Sequence, residues 1–139
     1  MLSQQEISDR LEIQQLLVDY STAIDTRNFD GLDAVFTPDA YIDYRALGGI
    51  DGRFPEVKAW LAEVLPNFAN YSHMLGLPAI RIDGDTATAR TFCFNPMIFS
   101  GENDPMMLVG LWYDDEFRRT DDGWRMVRRS EIKCFQKMP

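Results

Sequence analysis

The sequence contains few of the residues that build metal centres and disulfide frameworks. One histidine and two cysteines occur in 139 residues, and Cys93 and Cys134 lie in different apolar segments without CxxC spacing. This arrangement predicts reduced, buried thiols and neither a disulfide nor a zinc site. HExxH, GxSxG and a phosphate-binding glycine loop are also missing. We therefore expect no metal and no cofactor.

Positive charge and long apolar runs are also scarce. Fourteen lysines and arginines stand against 22 aspartates and glutamates, so the formal net charge is -8 at pH 7. Without a basic run to offset phosphate repulsion, nucleic acid and anionic membranes are poor partners. No run approaches the ~20 residues of a transmembrane helix, and the N-terminal residues do not resemble a signal peptide. We expect a cytoplasmic protein with one domain, residues 1–139.

The first half of the chain has helical periodicity. Ser3 and Glu6 form a capping box that opens a helix running to about Ile24 or Asp25. Two apolar stripes cover this helix, so we expect it to be buried on most sides. The second stripe consists of Ile7, Leu11, Val18 and Asp25. Further predicted elements are a short helix over 28–36, a strand over 40–44 and a helix between Pro55 and Pro66.

The second half has the pattern of consecutive β-hairpins. Segments 71–82, 86–99, 107–119 and 124–135 are rich in β-branched, aromatic and apolar residues and are separated by turn sequences. Helices followed by a strand meander predict an α+β fold, in which N-terminal helices pack on a curved antiparallel sheet and enclose a pocket. Segment 107–119 is apolar on both faces, which predicts a homo-oligomer.

His73 and Asp25 are the candidate catalytic residues. Neutral imidazole is the side chain best matched to removing a carbon-bound proton near pH 7. A carboxylate on one ring nitrogen would fix the tautomer and stabilise the imidazolium that forms. Removing a proton next to a carbonyl also requires hydrogen-bond donors for the developing oxyanion. Tyr20 and Tyr44 are the candidate donors.

Several segments together resemble one known family. They are DTRNFDGL at 25–32, IDYR at 42–45, SHMLG at 72–76 and GWR at 123–125. The chain resembles SnoaL-like members of the NTF2-like cone superfamily, most of all the scytalone dehydratases through Asp25, Tyr44 and His73. It is also similar to bile-acid dehydratases and hexachlorocyclohexane dehydrochlorinases. The resemblance implies a lyase without a cofactor, a dimer or trimer, and a pocket role for Arg129. Tyr20 stands where the dehydrochlorinases have lysine, which disfavours a halide leaving group.

We therefore predict a dehydratase-like carbon–oxygen lyase. His73 would remove the proton next to a carbonyl of a small hydrophobic cyclic substrate, and water would leave, protonated by imidazolium or tyrosine. The predicted substrate-binding residues are Trp60, Phe94, Asn95, Leu111, Tyr113 and Arg129.

Three questions stay open at the level of sequence. Strict alternation along the last strand places Arg128 on the apolar face, whereas the resemblance points to Arg129; a β-bulge would reconcile them. A non-catalytic binding or accessory protein would not need the histidine pair. An isomerase of the ketosteroid type would use Asp25 as its base.

Overall fold

Helices pack against a mixed, curved, unclosed sheet in the computed structural model, which describes residues 1–139. The helices are α1 (Gln4–Asp25) and α2 (Phe54–Val64), and 3₁₀ turns occupy Phe29–Ala34, Arg45–Leu47 and Leu65–Asn67. The strands are β1 (Phe36–Asp43), β2 (Asp51–Arg53), β3 (Phe68–Tyr71), β4 (Met74–Leu75), β5 (Ala79–Asp83), β6 (Thr86–Phe99), β7 (Met106–Thr120) and β8 (Gly123–Lys137). Neither helix is long and apolar enough to cross a membrane.

The long helix begins and ends where the sequence predicts. The Ser3 hydroxyl accepts a hydrogen bond from the Glu6 amide at 3.1 Å, which caps the first turn of α1. Only one face of α1 packs on the sheet, through Ile13, Leu16, Leu17, Tyr20, Ala23 and Ile24. Ile7, Leu11 and Val18 are exposed. The expectation of a helix buried on most sides is wrong, because the sheet covers a single apolar stripe.

The sheet follows the order β2-β1-β8-β7-β6, and β3, β4 and β5 share the far edge of β6. Strands β5 to β8 pair antiparallel in sequence order, as predicted. The β1–β8 pair is parallel, so the sheet is mixed and not purely antiparallel. The predicted strand over 71–82 is broken into parts of β3, β4 and β5. His73 lies in the first of these breaks.

The segment after α1 differs from the sequence prediction. A 3₁₀ turn, Phe29–Ala34, replaces the predicted helix over 28–36, and β1 begins at Phe36 instead of Ala40. Pro38 is tolerated inside β1 because the pairing with β8 is irregular between Phe36 and Tyr41. The helix predicted at Pro55 is confirmed as α2, with Pro55 in its first turn.

A β-bulge in β8 determines which arginine faces the interior. Arg128 pairs with Glu116 of β7, whereas the residue that pairs with Phe117 lies two positions earlier, so Val127 is the extra residue. The bulge reverses the alternation that begins at Trp124. Arg129 is consequently buried, and Arg128 is exposed.

Bulges in β8 also correct one of the two cysteine predictions. Cys93 is buried and reduced, as expected, and burial raises the pKa of its thiol to about 12. Cys134, predicted to be buried, is an exposed free thiol. Ile132 is also turned outward. The bulge at Val127 turns Ile132 outward, and Cys134 is itself the extra residue of a second bulge, because Gly110 pairs with Phe135 and Leu111 with Lys133.

Asp9 links the start of α1 to the sheet. Its carboxylate accepts two hydrogen bonds from the Arg119 guanidinium at 2.8 and 2.9 Å, one from the Trp124 indole at 3.0 Å and one from Gln5 at 3.0 Å. The bonds from Arg119, opposed by burial, hold the pKa of Asp9 well below its usual range. The carboxylate is therefore charged in the fold at neutral pH.

We expect Asp9→Asn to lower the free energy of unfolding by about 2–3 kcal/mol at pH 7, because it weakens a buried, charge-assisted network. Asp85→Asn is the matched control: Asp85 also pairs with Arg119, but its side chain is 79% exposed. Because folding depresses the pKa of Asp9, the stabilisation is complete above about pH 4 and is lost as the pH falls. Urea denaturation of both variants between pH 3 and 7 measures this, and equal effects of the two substitutions would contradict it.

Candidate active site

The structure brings His73 and Asp25 into direct contact. His73 Nδ1 lies 2.6 Å from Asp25 Oδ1, and the His73 backbone amide donates to Asp25 Oδ2 at 2.9 Å. Both carboxylate oxygens are thus used by one residue, which fixes the position of the imidazole as well as its tautomer. The His73 side chain is 7% exposed and Asp25 is 26% exposed.

The end of α1 and the gap between β3 and β4 create this contact. Asp25 is the last residue of α1, and His73 follows β3 by two positions. The Tyr71 hydroxyl donates at 2.9 Å to the Ile24 carbonyl, which also accepts from the Arg27 amide at 3.1 Å, and this bond holds the two segments together. Both hydrogen bonds of the Asp25 side chain go to His73, and none goes to its own helix end.

His73 lines a mostly apolar cavity of about 270 Å³. Asp25 is bonded to its Nδ1, and its Nε2 makes no hydrogen bond to the protein. The cavity is lined by Tyr20, Ile24, Tyr44, Leu47, Gly48, Gly49, Trp60, Leu61, Val64, Leu65, Phe68, His73, Asn95, Met97, Met107, Val109, Tyr113, Glu131 and Gln136. Of the predicted site residues, His73, Tyr20, Tyr44, Trp60, Asn95 and Tyr113 therefore meet at one cavity.

Three predicted binding residues do not line this cavity. Phe94 lies on the other face of β6 from its buried neighbours Cys93 and Asn95, and its ring packs near that of Phe135. Leu111 is fully buried in the core. Arg129 is buried and is not among the lining residues, and its Nη1 has no hydrogen-bond partner in the protein; its role in substrate binding stays a prediction.

Arg129 forms a buried ion pair with Asp115. Its Nε and Nη2 donate to the two carboxylate oxygens at 2.7 and 2.9 Å. Burial opposes the charged guanidinium, but the Asp115 carboxylate raises the pKa of Arg129 well above its ordinary value. The guanidinium carbon lies 4.2 Å from the Tyr20 ring centroid and 3.7 Å from that of Tyr113. Arg129 therefore holds two cavity-lining tyrosines in place by cation–π contact.

Tyr20 and Tyr44 share a hydrogen bond inside the cavity. Their hydroxyl oxygens lie 2.5 Å apart, and both residues are buried. Burial, opposed by Arg129, raises the pKa of Tyr20 to about 12, and burial raises the pKa of Tyr44 well above its ordinary value. Both tyrosines are therefore neutral at pH 7. One hydroxyl proton bridges the pair, and the other is free to donate to a bound molecule.

Asn95 and Glu131 bring further unpartnered polar groups to the cavity wall. Asn95 Oδ1 is buried without a hydrogen bond, which leaves it available to a ligand. Glu131 lines the cavity, and its carboxyl group forms neither a hydrogen bond nor an ion pair. Burial raises the pKa of Glu131 to about 8, with Arg129 opposing and Asp43 reinforcing the shift.

Sequence reasoning did not identify Glu131, although a signal was present. Glu131 follows Arg129 by two positions, so both side chains lie on the same face of β8. Once the bulge is placed before Arg129, alternation alone directs Glu131 inward. No cluster of three or more His, Cys, Asp or Glu residues that could hold a metal ion is present.

Residues 5–130 match the model of the SnoaL-like domain. The chain therefore belongs to the SnoaL-like family. An uncharacterised protein of Mycobacterium tuberculosis strain H37Rv is 69% identical over 138 residues, which cover 99% of this chain and 94% of that protein.

Solved structures share the fold across most of the chain. A protein named as a candidate scytalone dehydratase from Novosphingobium aromaticivorans superposes with a TM-score of 0.85 at 20% identity, covering 96% of this chain and 89% of that one. A hexachlorocyclohexane dehydrochlorinase from Novosphingobium barchaimii gives 0.83 at 18% identity, covering 96% and 91%. Structures of the NTF2-like superfamily also match, so the predicted fold class is confirmed. These likenesses establish the fold.

We expect Arg129→Met to lower the free energy of unfolding by about 3–5 kcal/mol, because it leaves the buried Asp115 carboxylate without its partner. The adjacent Arg128→Met is the matched control, since Arg128 is exposed and its one cation–π contact is with the Tyr41 ring. Thermal and urea unfolding of the two variants measure the difference. A larger loss in Arg128→Met would contradict the placement of the bulge.

Proposed function

We propose that the protein is a cofactor-independent carbon–oxygen lyase that eliminates water from a small cyclic β-hydroxy carbonyl compound. The observation that carries this proposal is the 2.6 Å contact between His73 Nδ1 and Asp25 Oδ1 at the wall of the cavity. The contact gives the imidazole base a fixed orientation, and the cavity has room for the substrate whose proton this base removes. Solved structures with the same fold are named as a dehydratase and a dehydrochlorinase, which is consistent with this class of reaction.

His73 acts as the base that removes the proton next to the carbonyl. With Nδ1–H donating to Asp25, the lone pair of Nε2 is the free acceptor of the imidazole. The carboxylate then stabilises the imidazolium that forms when Nε2 takes the proton. A base positioned in this way contributes about 10²–10⁴-fold to the rate.

The tyrosine pair stabilises the negative charge that develops on the carbonyl oxygen. Tyr20 and Tyr44 stay neutral because burial raises the pKa of both hydroxyls. The hydroxyl that accepts the bridging proton donates its own proton to the oxyanion, and the bridge strengthens that bond. The Tyr20 ring packs edge-on to the His73 ring at 6.5 Å between centroids, which brings the donor pair near the base.

The cavity favours an uncharged, hydrophobic substrate with one or two rings. Its wall is mostly apolar and contains no lysine or arginine. Arg129 is buried outside the lining, and its Nε and Nη2 are paired with Asp115. An anionic substrate would therefore enter without a counter-charge, at a large desolvation cost.

A ketosteroid-type isomerase would make Asp25 the proton carrier. Here both Asp25 oxygens accept hydrogen bonds from His73, and Asp25 is not on the cavity wall. A purely ligand-binding or accessory role would not require the histidine to reach the cavity. The geometry favours the lyase over both alternatives.

We expect His73→Asn to reduce the dehydration rate of 3-hydroxy-1-tetralone to 1-naphthol by at least about 10²-fold, and Asp25→Asn to reduce it by a smaller factor. In Tyr44→Phe the oxyanion loses a hydrogen-bond donor, and we expect the dehydration rate to fall by about 10-fold or more. Tyr41→Phe is the matched control, because the Tyr41 hydroxyl bonds to Asp51 outside the cavity. Naphthol fluorescence follows the reaction. Full activity in His73→Asn would contradict the proposed base.

We also propose that the protein forms a homo-oligomer through the outer face of β6 to β8. Apolar side chains remain solvent-accessible there although the sheet covers the core on its other face; they include Phe92, Phe94, Trp112, Ile132 and Phe135. Burying such a face against a second copy removes apolar surface from water.

Ile132→Glu should shift the protein towards monomer, because it would place a charge in the proposed interface. Ile7→Glu is the control, since Ile7 is 46% exposed on α1 and Ile132 is 40% exposed on β8. Sedimentation velocity of the two variants and the unaltered protein measures this. An unaltered protein that sediments as a monomer would contradict the interface.

A further inference from the structure

Glu131 is the one carboxyl group on the cavity wall, and it has no role in the proton abstraction or oxyanion stabilisation proposed above. The residue pairs with Tyr113 in the β7–β8 ladder, so it lies on a different wall from His73, which follows β3. A molecule that fills the cavity would thus meet a base on one side and a carboxyl group on another.

Arg129 is the one cation that acts on Glu131, and its lowering of the Glu131 pKa is outweighed by burial. The nearest cation on its own strand is Arg129, whose charge is balanced by Asp115 at 2.7 Å. The other titratable groups that interact with Glu131 are neutral or negative. They are Tyr20 of α1, Asp43 of β1, Tyr44 just after β1, Cys93 of β6 and Tyr113 of β7. An unpaired carboxyl group in this setting is more stable with its proton.

Elimination of water requires a proton at the departing oxygen, because hydroxide is a poor leaving group. The His73 imidazolium could return the proton it has just received, but only to an oxygen on the face of the substrate ring that His73 contacts. The tyrosine pair is occupied with the carbonyl oxygen in the proposed reaction. A neutral carboxylic acid on a separate wall meets the requirement directly.

We propose that Glu131 is the catalytic acid of this site, and that it donates its proton to the departing hydroxyl of the substrate. This step rests on the proposed lyase function. The C–H bond breaks as His73 Nε2 takes the proton, the C=C bond forms, and the C–O bond breaks as oxygen takes the Glu131 proton and leaves as water. The site ends as imidazolium and carboxylate, and proton exchange with solvent restores both groups.

The test compares two substrates that differ only in the leaving group. 3-Hydroxy-1-tetralone must receive a proton to lose water, whereas 3-acetoxy-1-tetralone loses acetate without one, and both give 1-naphthol. We expect Glu131→Gln to slow the hydroxy ketone by about 10²-fold and to leave the acetoxy ketone within about 2-fold of the unaltered protein. His73→Asn should slow both, because both require proton abstraction. Glu116→Gln, on the exposed part of β7, is the control for loss of a glutamate.

The pH profile supplies an independent readout. Activity on the hydroxy ketone should fall as the pH rises through about 8, because Glu131 then loses its proton. The residual activity of Glu131→Gln should lack this alkaline limb. ¹³C NMR of the glutamate carboxyl carbons, assigned by the same variant, should show the corresponding titration.

The outcomes separate this proposal from the one on which it rests. Equal slowing of both ketones by Glu131→Gln, or slowing of neither, would overturn the role of Glu131 while leaving the His73 mechanism intact. A Glu131 carboxyl group that titrates below pH 5 would overturn it as well. An unaltered protein that accelerates neither ketone would contradict the lyase function itself, and the acid step with it.

Discussion

The bidentate use of the Asp25 carboxylate by His73 is the interaction on which the site depends. One oxygen accepts from the backbone amide and the other from the ring, so a single side chain positions both the segment and its imidazole. The contact also joins the end of α1 to the break between β3 and β4, two parts of the chain that are 48 residues apart. The imidazole then reaches the cavity with one nitrogen occupied and the other free.

A second layer of support comes from an ion pair that never touches the cavity. Arg129 is held by Asp115 and lies between the rings of Tyr20 and Tyr113. Because its charge is balanced locally, it stabilises the walls without making the cavity attractive to anions. The bulge at Val127 is what turns Arg129 inward. One extra residue in β8 thus determines the packing of the tyrosines and the direction of Glu131.

Local sequence signals were sufficient for much of the fold and for the central residues of the site. The capping box at Ser3 locates α1 correctly, and the alternation of apolar residues locates the long strands β6, β7 and β8. The expected meeting of Asp25 and His73 depends on a resemblance as well as on chemistry, because no local rule brings a helix end to a distant loop.

The errors along β8 come from its two bulges, at Val127 and Cys134. Each bulge reverses the faces of the residues that follow it, and no residue type in β8 identifies its position. Strict alternation therefore places Cys134 inward and misses Glu131. Phe94 was assigned by its hydrophobicity, although its neighbour Asn95 is the residue that faces the cavity. The parallel pairing of β1 with β8 is a long-range contact that periodicity does not reveal.

The central claim is that His73 removes a proton next to a carbonyl inside this cavity. Proton exchange on 1-tetralone, which has no leaving group, tests that step alone: ¹H NMR in D₂O follows the loss of the protons next to its carbonyl. The account predicts that the protein accelerates this exchange and that His73→Asn returns it to the uncatalysed rate. Exchange that the protein does not accelerate, or that persists unchanged in His73→Asn, would contradict it.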